Sequence, residues 1–172
     1  MDVRTAAQAE VDEVRQSAEL AVTAVRSSAT RFADCVHAID SAPTLGAVLT
    51  LVAGCARLEA GRATVIIVRD GTLVTYPFRG DVSPEQATLA LSAVNTRQAV
   101  FEGAAAAFPI TLGGQVAAVL STSAPSSPDA VATLDLLVRH AGRVLEAMTL
   151  RQITGVSPLP ARPPEASAGR AP

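Results

Sequence analysis

Hydrophobic spacing divides the chain into helix-patterned and strand-patterned stretches. Residues 5–40 contain no Gly or Pro and are rich in helix formers, which predicts one long helix. Along it, Val11, Val14, Ala18, Ala21, Val25, Ser28, Phe32, Cys35 and Ile39 step alternately by three and four, the a/d spacing of a coiled coil. Small residues dominate the first half of this seam. At ~25 cal/mol per Å² they hold a partner weakly by themselves and are expected to lengthen an interface made elsewhere. Glu10, Asp12, Glu13, Arg15, Glu19 and Arg26 lie between the seam positions and read as a solvated face.

Pro43 and the hydroxyls of Ser41 and Thr44 break the helix and start a second one. Leu45, Val48, Leu49, Val52, Cys55 and Ala56 give it a one-sided apolar stripe, ending in polar Glu59, and Gly61 stops it. The β-branched run from Thr64 to Val68 and a second run from Thr72 to Tyr76 flank Asp70-Gly71, a strong hairpin signal. The first run is apolar throughout, as in a strand buried on both faces, whereas the second alternates like an edge strand. Ser83, Pro84 and Gln86 form a capping-box start for a short helix to Val94, and residues 98–102 fit a brief strand.

The clearest two-strand signal spans Phe108 to Leu120, where two apolar runs meet at Gly113-Gly114. Glycines supply the positive φ angles of a tight turn, so these strands are antiparallel neighbours and are expected at the sheet centre. A final helix runs from Pro128 or Asp129 to Ile153. Val131, Leu134, Val138, Ala141, Leu145 and Met148 form its stripe, with Leu137 and Val144 beside it. So wide an apolar surface predicts burial from two sides, by the sheet and by another helix. From Ser157 onward the Pro- and Ala-rich sequence has no periodicity and is expected to be disordered.

The predicted fold class is therefore α+β: a central antiparallel sheet covered by helices on one face, with a long coiled-coil-like helix at the N-terminus. The expected organisation is an N-terminal helix over residues 1–31, a domain over 32–152 and a tail over 153–172.

Composition narrows the function classes. The 172 residues are 49% hydrophobic, enough to bury one sizeable core, and carry a net charge of -2. Every basic residue is Arg, which reads as coding bias, and neither nucleic acid nor an anionic membrane is an expected partner. The first ten residues lack the basic-then-apolar order of a signal peptide, and no apolar run is long enough to span a bilayer, so a cytoplasmic location is expected.

Four stretches resemble the GAF domain of bacterial signalling proteins: Leu45 to Leu49, Ala63 to Val68, Ala107 to Leu120 and Leu134 to Met148, together covering residues 32–151. The resemblance implies a central antiparallel sheet, a pocket on the sheet face opposite the first and last helices of the domain, and parallel dimers through those helices. GAF domains that hold cyclic nucleotides, tetrapyrroles or haem use a long, specialised segment before the central hairpin. Here that segment, Phe78 to Gly103, is short and lacks Cys, His and Trp, so a shallow pocket and no cofactor are expected. GAF proteins that reduce methionine sulfoxide keep several cysteines near that pocket, unlike Cys35 and Cys55, which fall on helices.

The remaining candidate chemistry is sparse. His37 and His140 lack the further ligands zinc requires, and they read as exposed or interfacial. Cys35 and Cys55 make no CxxC motif, and their expected state is free thiols packed inertly; the alternatives are a redox pair, or a crosslink by Cys35 between two copies across the seam. No Ser is placed with a His in a nucleophile motif. Arg79, Arg97 and Glu102 are the polar residues expected nearest a pocket mouth.

The expected function is that of a non-catalytic regulatory module. It would homodimerise through Val11, Val14, Ala18, Ala21, Val25, Phe32, Leu137, Val144 and Met148, with a small molecule or partner at the sheet shifting the helices. The alternative is a ligand-free scaffold that docks another protein through its N-terminal helix or tail.

Overall fold

The computed structural model describes residues 3–77, 81–123, 125 and 127–155, with side chains described from residue 12 onward; the C-terminal tail expected to be disordered and Arg79 lie outside this set. Helix α1 (Val3–Asp40) leads into α2 (Leu45–Ala60), the hairpin β1 (Ala63–Arg69) and β2 (Thr72–Tyr76), and α3 (Pro84–Thr96). Then come β3 (Val100–Glu102), β4 (Ala105–Leu112), β5 (Gln115–Ser123) and α4 (Pro128–Thr154).

Local chemistry fixes these boundaries. Thr44, Ser83 and Ser127 cap α2, α3 and α4, each accepting a hydrogen bond from a backbone N–H three residues on. Asp70 and Gly71 both take positive φ in the first hairpin, as do Gly113 and Gly114 in the second, so each turn twists in the sense the flanking strands require.

The five strands are antiparallel in the order β2-β1-β5-β4-β3. The glycine hairpin thus supplies the central strand, and β2 is an edge. Pairing sets Val65 opposite Leu120, and Leu120 opposite Phe108. Strand alternation sends Val65, Ala106, Phe108, Ile110, Ala118 and Leu120 to one side, into a core with α2, α4 and the end of α1. Their neighbours Ile66, Ala107 and Val119 point to the other side.

That second face is also covered. Leu89, Ala90 and Ala93 of α3 pack on Ile66, Ala107 and Val119 in a separate buried cluster. The expectation that helices cover one face is corrected to a three-layer arrangement. Three small side chains, Ala90, Ala93 and Ala107, let α3 lie close to the sheet, and all are fully buried.

Helix α4 is buried from two sides, as its wide stripe requires: it contacts α2, α1 and β4. Helix α1 behaves differently along its length. Cys35 and Ile39 are in the core and Phe32 is half-buried against it, whereas residues 12–27 are exposed. Val14 and Val25 are each 64% exposed. No helix among the described residues is long and apolar enough to cross a membrane.

Candidate functional site

Three of the concave features among the described residues lie around the body of the domain. The first is an open cleft of about 610 Å³ between the start of α3 and the β3–β4 hairpin. Glu85, Gln86, Thr88 and Leu89 form one wall, and Glu102 and Ala105 the other. The Ser83 cap places the first turn of α3 beside the β3 edge, which is why Glu85 and Gln86 reach the cleft. Ser83 Oγ accepts from Gln86 N at 3.3 Å. Two exposed carboxylates, Glu85 and Glu102, make the mouth negative. The floor is closed, because Leu89, Ala90 and Ala93 seal the sheet beneath α3.

Of the residues expected near a pocket mouth, Glu102 lines this cleft. Arg97 does not: it is exposed at the opposite end of α3, where it adopts φ 56° and donates its backbone N–H to Ala93 O at 2.9 Å. Its role there is to terminate the helix, and that position is corrected accordingly. Arg79 lies outside the described residues. Glu85, Gln86 and Thr88 were not anticipated; the signal that could have found them is the capping box, which fixes where the first polar turn of α3 begins.

The second feature is an open groove of about 880 Å³ between the α1–α2 connection and the outer end of α4. His140 Nε2 donates to Asp40 Oδ1 at 2.9 Å and closes one end. Val144, Ala147 and Met148 form the apolar wall, with Arg143 and Arg151 at its rim. The two histidines stand apart in role: His37 is exposed, whereas His140 ties α4 to the end of α1. No cluster of three or more His, Cys, Asp or Glu able to hold a metal exists among the described residues.

Among the residues expected to pair with a second copy, Val14, Ala18, Ala21 and Val25 are exposed, and Val144 and Met148 are half-buried. Leu137 is corrected. It is 2% exposed and packs in the intramolecular core, so it has no surface to offer a partner. Phe32 likewise spends part of its surface on that core. The side chain of Val11 lies outside the described set.

The third feature is a narrow crevice over Cys35 and Cys55, which are joined as a disulfide with Cα atoms 5.9 Å apart. Inert free thiols are thereby corrected. Position 35 of α1 and position 55 of α2 meet because the break at residues 41–44 folds α2 back along α1. The 20-residue separation carries no sign of that crossing. Arg31 and Glu59 bracket the bridge, their charged groups 3.6 Å apart.

No protein-family model matches the chain, and no curated protein matches it in sequence. Its fold, however, is shared with solved GAF domains. The native GAF domain of the potassium sensor histidine kinase KdpD from Escherichia coli superposes with a TM-score of 0.59 at 12% identity, covering 74% of this chain and 99% of that one. The GAF domain of an Acinetobacter phosphoenolpyruvate-protein phosphotransferase gives 0.56 at 12% identity, covering 70% and 93%. Reduced fRMsr of Staphylococcus aureus gives 0.55 at 16% identity, covering 69% and 94%; a structure of fRMsr in complex with substrate matches as well. The chain has a GAF-like fold, a framework found both in regulatory proteins and in fRMsr.

Proposed function

We infer that this chain is a non-catalytic GAF-like regulatory module working as a homodimer in the cytoplasm. Residues 1–31 form the pairing arm, residues 32–152 the body and residues 153–172 a tail. The observation carrying this reading is the unpartnered apolar seam of α1. Val14 and Val25 are each 64% exposed on a helix that continues into the core at Cys35 and Ile39. A seam with coiled-coil spacing acquires its stability from a second helix. The α4 end adds exposed Leu150 and Ile153 beyond Val144 and Met148, extending the same kind of surface.

The signal would enter at the cleft between α3 and β3–β4. At about 610 Å³ it has room for a small metabolite, for which sites of ~300 Å³ and above are usual. Its two carboxylates favour a cationic or neutral polar occupant. Displacement of α3 by such an occupant would be felt across the sheet, because Val119 and Leu120, adjacent on β5, lie under α3 and under the α2/α4 layer respectively.

A scaffold reading is favoured by one observation: the sheet beneath α3 is closed by fully buried Ala90, Ala93, Ala107 and Val119. Under it the dimer is the same and the cleft is idle, with protein docking through the arm or the tail.

Oxidative crosslinking of Val14→Cys tests the pairing. A parallel, in-register seam brings the two copies of this a/d position together across the two-fold axis, giving a covalent dimer on a non-reducing gel. An exposed control, Arg15→Cys, should crosslink far less. Equal yields from both, or none from either, would remove the parallel seam.

A further inference from the structure

We propose that the Cys35–Cys55 bridge is a reversible thiol–disulfide switch that sets how firmly α1 is anchored to the body of the domain. Its reactant is a small dithiol or an equivalent protein dithiol. The switch operates within one chain and needs no second copy.

Placement is the first argument. The bridge sits where α1 changes from an exposed arm to a core element: residues 12–27 are exposed, Phe32 is half-buried and Ile39 is fully buried. The other described ties of this segment are non-covalent, namely the Arg31–Glu59 ion pair, the packing of Phe32 and Ile39, and the His140–Asp40 hydrogen bond. Breaking the one covalent link would therefore loosen this segment selectively and leave the sheet core intact.

Accessibility is the second argument. The bridge lies at the margin of the core, under a narrow crevice of about 10 Å³ walled by Arg31, Leu58, Glu59 and Thr133. Cys55 is half-buried, whereas Cys35 is 9% exposed. An incoming thiolate thus reaches Cys55 Sγ more easily. Arg31 stands one helical turn before Cys35 and lines the same crevice, its guanidinium 3.6 Å from the Glu59 carboxylate on the opposite wall.

The step balances as ordinary exchange. A thiolate of the dithiol attacks Cys55 Sγ, forming a mixed disulfide while the Cys35–Cys55 bond breaks and its electron pair leaves on Cys35. The second thiol of the reagent, as its thiolate, displaces Cys55 and closes the reagent's own disulfide. Both cysteine thiolates then take up a proton. Two electrons have passed from the dithiol to the protein, and an oxidised dithiol reverses the sequence. In a reducing compartment, bonds of this kind are characteristically transient and redox-sensing, whereas a purely structural bridge resists such exchange while the fold is intact.

The full-length wild-type chain, oxidised and then treated with dithiothreitol under native conditions, tests this. Mass spectrometry after alkylation counts the thiols, and peptide-level hydrogen exchange reads each helix. The expected result is reduction without loss of far-UV circular dichroism, exchange in residues 28–37 faster by about tenfold or more, and unchanged exchange in β1 and β5. Oxidised dithiothreitol should restore both the bond and the protection. A Cys35→Ser, Cys55→Ser variant should exchange like the reduced wild type. A bridge that opens only as fast as the whole protein unfolds would overturn the switch. So would native reduction that leaves residues 28–37 equally protected, or thiols that stay free after oxidation.

Discussion

A Cβ built on Gly142 would stand 2.7 Å from the carbonyl oxygen of Thr111. Helix α4 therefore crosses β4 at a distance that only glycine allows, beside the irregularity that shifts the β4–β5 register between Ile110 and Thr111. The obstacle is backbone, which cannot rotate aside as a side chain would. Gly142→Ala should destabilise the fold by about 1–3 kcal/mol, as overpacking of a close contact does. Gly54, exposed on α2 with nothing within 4 Å of its Cβ position, is the internal control. Gly54→Ala should instead stabilise by about 0.5–1 kcal/mol through helix propensity. Urea unfolding of the two variants should move the midpoint in opposite directions.

The layer formed by α3 makes a second prediction. Ala93 is fully buried against the sheet, so Ala93→Leu should cost about 1–3 kcal/mol by forcing α3 outward. If this face were instead an open site, the larger side chain would be tolerated. Thermal denaturation distinguishes the two, and hydrogen exchange should localise the loss of protection to α3.

Closing a 20-residue separation restricts the unfolded chain, so the Cys35–Cys55 bridge should contribute about 3 kcal/mol. Chemical denaturation of the oxidised chain and the Cys35→Ser, Cys55→Ser variant should differ by that order. A difference below about 1 kcal/mol would mean that the bridge spans segments already held together in the unfolded chain.

Helix capping gives a prediction at the site itself. Ser83→Ala removes the acceptor for Gln86 N and should cost about 1 kcal/mol, fraying the first turn of α3 that carries Glu85 and Gln86. Hydrogen exchange at residues 84–88 reports it directly.

Much of this arrangement was legible in the chain because it is encoded locally. Asp70-Gly71 and Gly113-Gly114 announce their turns, the capping residues announce α2, α3 and α4, and strand alternation assigns Phe108 and Ala107 to opposite faces. What was not legible depends on crossings. Cys35 and Cys55 carry no spacing signal, because their meeting is a property of how α2 folds back on α1. The second helical layer was hidden by its chemistry: Ala90 and Ala93 have little hydrophobic signature, and closeness of approach rather than bulk seats α3. Leu137 was misjudged as interface because the wide stripe of α4 does not say which part faces a neighbour within the chain and which faces outward. Of the site, Glu102 could be anticipated from its position before the central hairpin. The place of Arg97 was not legible, because the left-handed backbone that sets it at the end of α3, away from the cleft, carries no local sequence signal.

The proposed pairing through α1 is tested most directly by the native mass of the full chain, measured by light scattering after size exclusion, beside the Val14→Asp, Val25→Asp variant. Both side chains are exposed in the single chain, so two aspartates there should leave the fold intact while placing charges in the seam. A wild-type dimer that becomes a folded monomer in the variant is the predicted result. A wild-type monomer, or a variant that remains dimeric, would contradict the account.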